Sequence, residues 1–219
     1  MCAQQDSDGK RVAAYVDLVH AYHATLDLVS DRGLAEFERH VADARVYARV
    51  IRRLAGPTPT IVDVGSGVGL PGVVIAALLP NARVVLVERR RRRAAFLELV
   101  IGRLDLGRAE VFAGDVRDVT GVRADVVTAQ AVAGLAELVR LTRHLQADPC
   151  FLVSRRGPGW ERELPAVWAA VGVGPEGGDR SVVGSGAPAG AEVVEEPLEP
   201  RGSLVALRLP GGSACPSSG

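Results

Sequence analysis

Up to residue 55 the apolar positions recur at helical spacing. Val12, Tyr15, Val16, Val19, Tyr22, Leu26 and Val29 step by three and four, which predicts an amphipathic helix over 11–29. Ser30 or Asp31 can cap the next element, and "SDRGLAEFERHVADARVYARVIRRL" predicts a second helix from Leu34 to Leu54. "AGPTP" breaks it. From Thr60 onward short Val/Ile/Leu runs alternate with helical patterns. "TIVDV", "ARVVLVE", "AEVFAG", "ADVVTAQ" and "CFLVS" read as strands. "LPGVVIAALL", Arg91 to Leu104, Gly134 to Leu145 and Glu161 to Val171 read as helices. Runs this apolar predict strands buried on both faces, hence a parallel sheet between helical layers. Residues 172–202 read as loop. "SLVALRL" closes as a last strand, antiparallel and paired with part of "AEVVEE".

The pattern divides the chain into a helical extension over 1–55, an α/β domain over 56–209 and a disordered tail over 210–219. A chain of 219 residues can bury one sizeable core. Its 47% apolar content excludes a disordered protein. No apolar run reaches the ~18 residues that span a bilayer, and "MCAQQDSDGK" has no apolar secretion core. The expectation is a cytoplasmic protein without a membrane partner. Cys2, Cys150 and Cys215 fit neither a zinc site nor a disulfide framework. His20 and His23 lack further ligands, so no metal is expected. The formal net charge is +0, which leaves no global field to attract nucleic acid, although a local patch would suffice. Lys10 is the only lysine; the remaining cations are arginines, whose forks grip phosphates bidentately.

The candidate chemistry lies in "TIVDVGSGVGLPGVVIAALLP", a strand, a glycine turn and a helix. A triphosphate loop requires a lysine that is absent here. The dinucleotide fingerprint requires a third glycine where Leu70 stands. The pattern is G-x-G-x-G behind Asp63, and it resembles the opening of Rossmann-like S-adenosylmethionine (SAM) methyltransferases. SAM carries no pyrophosphate, so close backbone approach matters more than a phosphate cradle. Gly65, Ser66, Gly67, Gly69 and Leu70 are the candidate turn. Asp63, or a backbone carbonyl near it, can accept from the cofactor's ammonium. Glu88 ends the second strand, where an acid can hold a ribose diol. Asp115 and Val116 follow the third strand, on the adenine side.

Several segments resemble one family, the RsmG (GidB) methyltransferases, which methylate guanine N7 in 16S ribosomal RNA. "DVGSGVGLPG" is similar to its signature through Leu70, Pro71 and Gly72. "LDLVSDRG" and "FERHVADA" resemble N-L-T-x-x-R and R-H-x-x-D-S, "DVVTAQAVAGL" resembles S-R-A-x-A-x-L, and "CFLVSRRG" resembles a strand ending in K-G. The resemblance implies a class I methyltransferase sheet of six or seven strands, SAM as cofactor, and 16S rRNA or the small ribosomal subunit as partner. Four positions depart from the family pattern: Asp27 for Asn, Ala44 for Ser, Gln130 for Arg, and Arg156 (or Arg155) for Lys.

Guanine N7 has a free lone pair, so its methylation needs no general base. The resemblance makes Gln130, His40, Asp43 and Arg156 the candidate catalytic residues. His40 and Asp43 also share a helix face, where a surface hydrogen bond is the plainer reading. Arg89 to Arg93 open a helix, where cations are disfavoured by the dipole. Arg89, Arg92, Arg93 and Arg155 are therefore candidates for holding the substrate. Two alternatives stay open on sequence alone: a SAM-dependent methyltransferase acting on a small molecule, and a binding module without activity.

Overall fold

The computed structural model describes residues 2–130, 132–172, 191–200 and 202–209. The expected tail over 210–219 and most of the expected loop lie outside them. Seven strands make one sheet: β1 (Thr60–Val64), β2 (Arg83–Val87), β3 (Ala109–Phe112), β4 (Ala124–Ala129), β5 (Gln146–Arg156), β6 (Glu192–Pro197) and β7 (Ser203–Leu209). Their order is β3-β2-β1-β4-β5-β7-β6. The first five are parallel; β7 runs antiparallel to β5, and β6 antiparallel to β7. The β6–β7 pairing is the one read from "SLVALRL" and "AEVVEE".

Alternation along each strand sorts the core into two layers. Ile61, Leu86, Val126, Val153 and Ala206 face α1 (Cys2–Leu26), α3 (Phe37–Ala55), α4 (Gly72–Leu78) and α5 (Arg91–Leu104). Val62, Val87, Val127, Leu152 and Leu207 face α6 (Leu135–Thr142) and α7 (Leu164–Ala170), with Trp160 and Trp168 in that layer. Burying the strands on both faces is what makes them read as continuous apolar runs. The N-terminal helices are therefore part of the sheet's covering. Val12, Tyr15 and Val19 of α1 and Tyr47 and Ile51 of α3 share one core with β1 and β2. Among the described residues, no helix is long and apolar enough to cross a membrane.

Four of the expected helices differ from the sequence expectation. The first helix ends at Leu26 because Asp27 turns left-handed at φ 50°. Leu28 N–H then reaches back to His23 O at 3.1 Å, the bond of a helix C-cap. The second helix is split: α2 (Asp31–Ala35) is capped by Ser30, whose hydroxyl accepts from Gly33 N, and Glu36 breaks it from α3. The break lets Phe37 pack on Tyr15 with ring centres 5.6 Å apart. The stretches expected as helices over 134–145 and 161–171 each contain a 3-10 turn, Arg143–Leu145 and Trp160–Glu163.

Candidate active site

The sheet order reverses between β1 and β4, and a cleft of about 460 Å³ opens at the carboxyl ends of β1 and β2. That is where open α/β sheets place ligands, and the volume suits a small molecule. Gly65, which opens the glycine turn, forms part of one wall. Ser66 N donates to Val87 O at 3.0 Å, Ser66 Oγ to Asp63 O at 3.0 Å, and Gly69 N to Ser66 O at 2.7 Å. Gly65, Gly67 and Gly69 hold φ of 68°, 58° and 113°. A Cβ on Gly65 would lie 2.7 Å from a Val132 methyl, and one on Gly69 2.6 Å from Val73, whereas one on Gly67 would meet nothing closer than 3.8 Å. Sequence alone does not rank these glycines; the packing puts Gly65 and Gly69 ahead of Gly67. Leu70 packs on the helical layer, and like Ser66, Gly67 and Gly69 it is not one of the cleft walls.

Asp63 sits behind the turn, 1% exposed. Its Oδ1 accepts from Thr128 Oγ1 at 2.7 Å, while its Oδ2 lies against Gly72 without an aligned donor. Burial pushes its pKa up to about 6, against the lowering effect of the Thr128 bond. Tyr15 Oη donates to Val68 O at 3.0 Å, tying α1 to the same turn.

Glu88 is buried and lines the cleft. Its Oε2 accepts from Gly67 N at 2.9 Å and its Oε1 from Arg90 N at 2.7 Å. The carboxylate thus joins the turn to the start of α5, where no side chain caps the helix. Each oxygen retains acceptor capacity for a further donor. Beyond it, Asp115 is held by Arg117 through Nε and Nη2, both at 2.9 Å. Those bonds hold its carboxyl well below the usual range. Val116 is buried beside it and lines the cleft.

The other candidates divide between two places. Arg89, Arg90, Arg93 and Arg117 stand on the cleft wall, but Arg92 does not. Gln130 is half-buried, directly after β4, and is not a cleft wall. At the end of β5, Arg155 and Arg156 point to opposite faces. Arg155 Nε lies 3.2 Å from Asp43 Oδ2 on α3, out of hydrogen-bond alignment, and its backbone N–H donates to Tyr47 Oη at 2.7 Å. Burial raises the Asp43 pKa against the pull of Arg155. Burial, then Arg39, lowers that of His40. Arg156 Nη2 donates to Ala133 O at 3.0 Å, and burial lowers its pKa. Sequence reasoning missed Val132 and Glu163, and also Arg117 on the cleft wall; it took Arg90 only as part of the run Arg89 to Arg93. The first two depend on a loop and a 3-10 turn meeting in space, which no spacing announces.

The sequence profile of one family, GidB, described as rRNA small subunit methyltransferase G, matches residues 9–167. The chain belongs to the GidB family. A relative named ribosomal RNA small subunit methyltransferase G, from Leptothrix cholodnii, is 32% identical over 174 residues, covering 78% of this chain and 80% of the relative. A relative of the same name from Nitrosomonas eutropha is 33% identical over 159 residues, covering 70% of this chain and 72% of its own. Among solved structures, an O-methyltransferase from Bacillus cereus in complex with SAH has a TM-score of 0.58 at 12% identity, covering 90% of both chains. Aeropyrum pernix fibrillarin with bound SAM has a TM-score of 0.54 at 16% identity, covering 78% of this chain and 76% of that one. Both share the class I methyltransferase fold. This GidB chain is thus a SAM-dependent methyltransferase. Two of its departures from the family pattern have structural settings. Asp27 is exposed and holds the left-handed end of α1, a conformation Asp and Asn both tolerate. Ala44 is 1% exposed in the core.

Proposed function

We propose that the enzyme transfers the methyl group of SAM to N7 of a guanine in the 16S rRNA of the small ribosomal subunit. The observation that carries the substrate is the row Arg89, Arg90 and Arg93 on the cleft wall. The row stands at the helix end where the dipole disfavours cations. Arg89 reaches Asp115 at 3.7 Å but stays exposed, and neutralising RNA phosphates accounts for the row as a whole. The names of the relatives and the match over 9–167 agree with this reading and do not favour the small-molecule alternative.

When bound, SAM supplies a sulfonium methyl group that is transferred with its S–C bond electrons left on sulfur. Glu88 is assigned to the ribose diol and the Gly65–Gly69 backbone to the methionyl end. Asp115 and Val116 are assigned to the adenine. The residues fit: Gly65 has no side chain where a Cβ would meet Val132 on the cleft wall, and apolar Val64, Val87 and Leu141 wall the cleft. N7 attacks with its own lone pair and loses no proton, so the enzyme works chiefly by alignment, worth up to ~7–11 kcal/mol. Asp43 is engaged with Arg155, and Glu163 with Arg156.

Mass spectrometry of 16S rRNA from cells with and without the gene tests the proposal; unchanged N7-methylguanine would sink it. Two further results are expected. Glu88→Gln should weaken SAM binding by ~1.5–3 kcal/mol, the value of a hydrogen bond to a charged group. Its new amide would also oppose the N–H of Gly67 or Arg90. Calorimetry with an unchanged Kd would remove Glu88 from the site. Replacing Arg89, Arg90 and Arg93 with Ser should flatten the salt dependence of RNA binding by up to ~0.7–0.9 of slope per lost phosphate contact. An identical slope would exclude the row from RNA binding.

A further inference from the structure

We infer that Arg156 and Glu163 are a coupled pair of positioning residues that lock residues 132–134, just ahead of α6, over the glycine turn. The pair thereby sets where the methyl acceptor meets the cleft. Only the activity arm of the test rests on the proposed rRNA reaction.

Three contacts make the lock. Arg156 Nη2 donates to Ala133 O at 3.0 Å. Its Nη1 stands 3.7 Å from Glu163 Oε1. Glu163 Oε2 in turn accepts from Leu135 N at 2.8 Å. A Cβ on Gly134 would lie 3.3 Å from that same oxygen. The carboxylate therefore rests against the loop backbone and serves as the N-terminal acid of α6, whose own N-cap Gly134 has no side chain to do so. The guanidinium holds the neighbouring carbonyl.

The locked loop presents Val132 to the glycine turn. Its methyl occupies the space that a Gly65 side chain would take. It is 44% exposed, the one exposed large apolar side chain among the described residues. Glu137 and Leu141 of α6 line the same cleft, so the direction of α6 also follows from the lock. The Arg156 side chain is only 14% exposed, which leaves it badly placed to reach an RNA backbone itself. Arginine suits the task because its planar fork spans two acceptors, whereas a lysine ammonium is a point charge.

Two measurements test the pair. The first is amide hydrogen exchange of the full chain without acceptor. Glu163→Gln and Arg156→Lys should each speed exchange over 135–138 by about tenfold or more, with β1 and β5 unchanged, as a local opening does. Unchanged exchange in both variants would overturn the inference. The second is steady-state methylation of small ribosomal subunits. Arg156→Ala and Glu163→Ala should each lower kcat by about tenfold or more with KM within about threefold. The double variant should be no worse than either single one, as for residues acting as a unit. Arg156→Lys should recover part of the loss. A raised KM for Arg156→Ala alone, with Glu163→Ala behaving as wild type, would make Arg156 a direct RNA contact and also overturn it. If the wild type does not methylate the subunit, the proposed substrate falls, while the exchange result still decides the lock.

Discussion

Gly65→Ala is expected to weaken SAM binding at least thirtyfold while leaving the fold intact. Two costs combine. Gly65 holds φ 68°, and an L-residue in the left-handed region is strained by ~1–2 kcal/mol. The added methyl would lie 2.7 Å from Val132 Cγ2, an overpacking of the kind that costs ~1–3 kcal/mol. The sum, ~2–5 kcal/mol, is relieved most cheaply by moving the turn or the Val132 loop, and Gly65 and Val132 are both cleft walls. The two costs separate in a double-mutant cycle. Val132→Ala on the Gly65→Ala background should restore the steric share and leave the backbone strain. Calorimetry of the four proteins checks this. An unchanged Kd in Gly65→Ala, or no recovery in the double variant, would show that Val132 does not close on the turn.

The sequence carried the sheet well because its signals are local. Each strand is a short β-branched run, and burial on both faces makes it legible without knowing its neighbours. The glycine turn was legible for the same reason: Gly65, Gly67, Gly69 and Glu88 lie at the ends of consecutive elements that pair side by side. What was not legible depends on tertiary meetings. Arg155 and Arg156 are adjacent in sequence, yet strand alternation sends one to Asp43 on α3 and the other to Ala133 and Glu163. Asp63 opens the glycine signature and invites a role against the cofactor, but its place on the α4 face of β1 buries it behind the turn. The division at residue 55 follows a real change of pattern. In space, however, Tyr15 bonds the turn and Tyr47 the end of β5, so the helical extension is tied to both.

Asp63 should make the protein lose stability as pH rises from about 4 to about 7. Its pKa is raised from 3.8 to about 6, chiefly by burial. Between those values the folded state binds more of the proton than the unfolded state does, so stability is fully present below about 4 and falls as pH passes 6. A carboxyl moved that far corresponds to about 3 kcal/mol. Asp63→Asn removes the titration while keeping the shape, and its amide can face Thr128, whose hydroxyl can accept as well as donate. Urea unfolding at about pH 4, 5, 6 and 7 should therefore show the wild type losing about 3 kcal/mol relative to Asp63→Asn across the window. Asp43, whose pKa is also raised, titrates in both proteins and drops out of the difference. Asp115, held low by Arg117, exerts its effect below the window. Parallel stability curves would mean that the carboxylate is as well solvated behind the turn as in the unfolded chain.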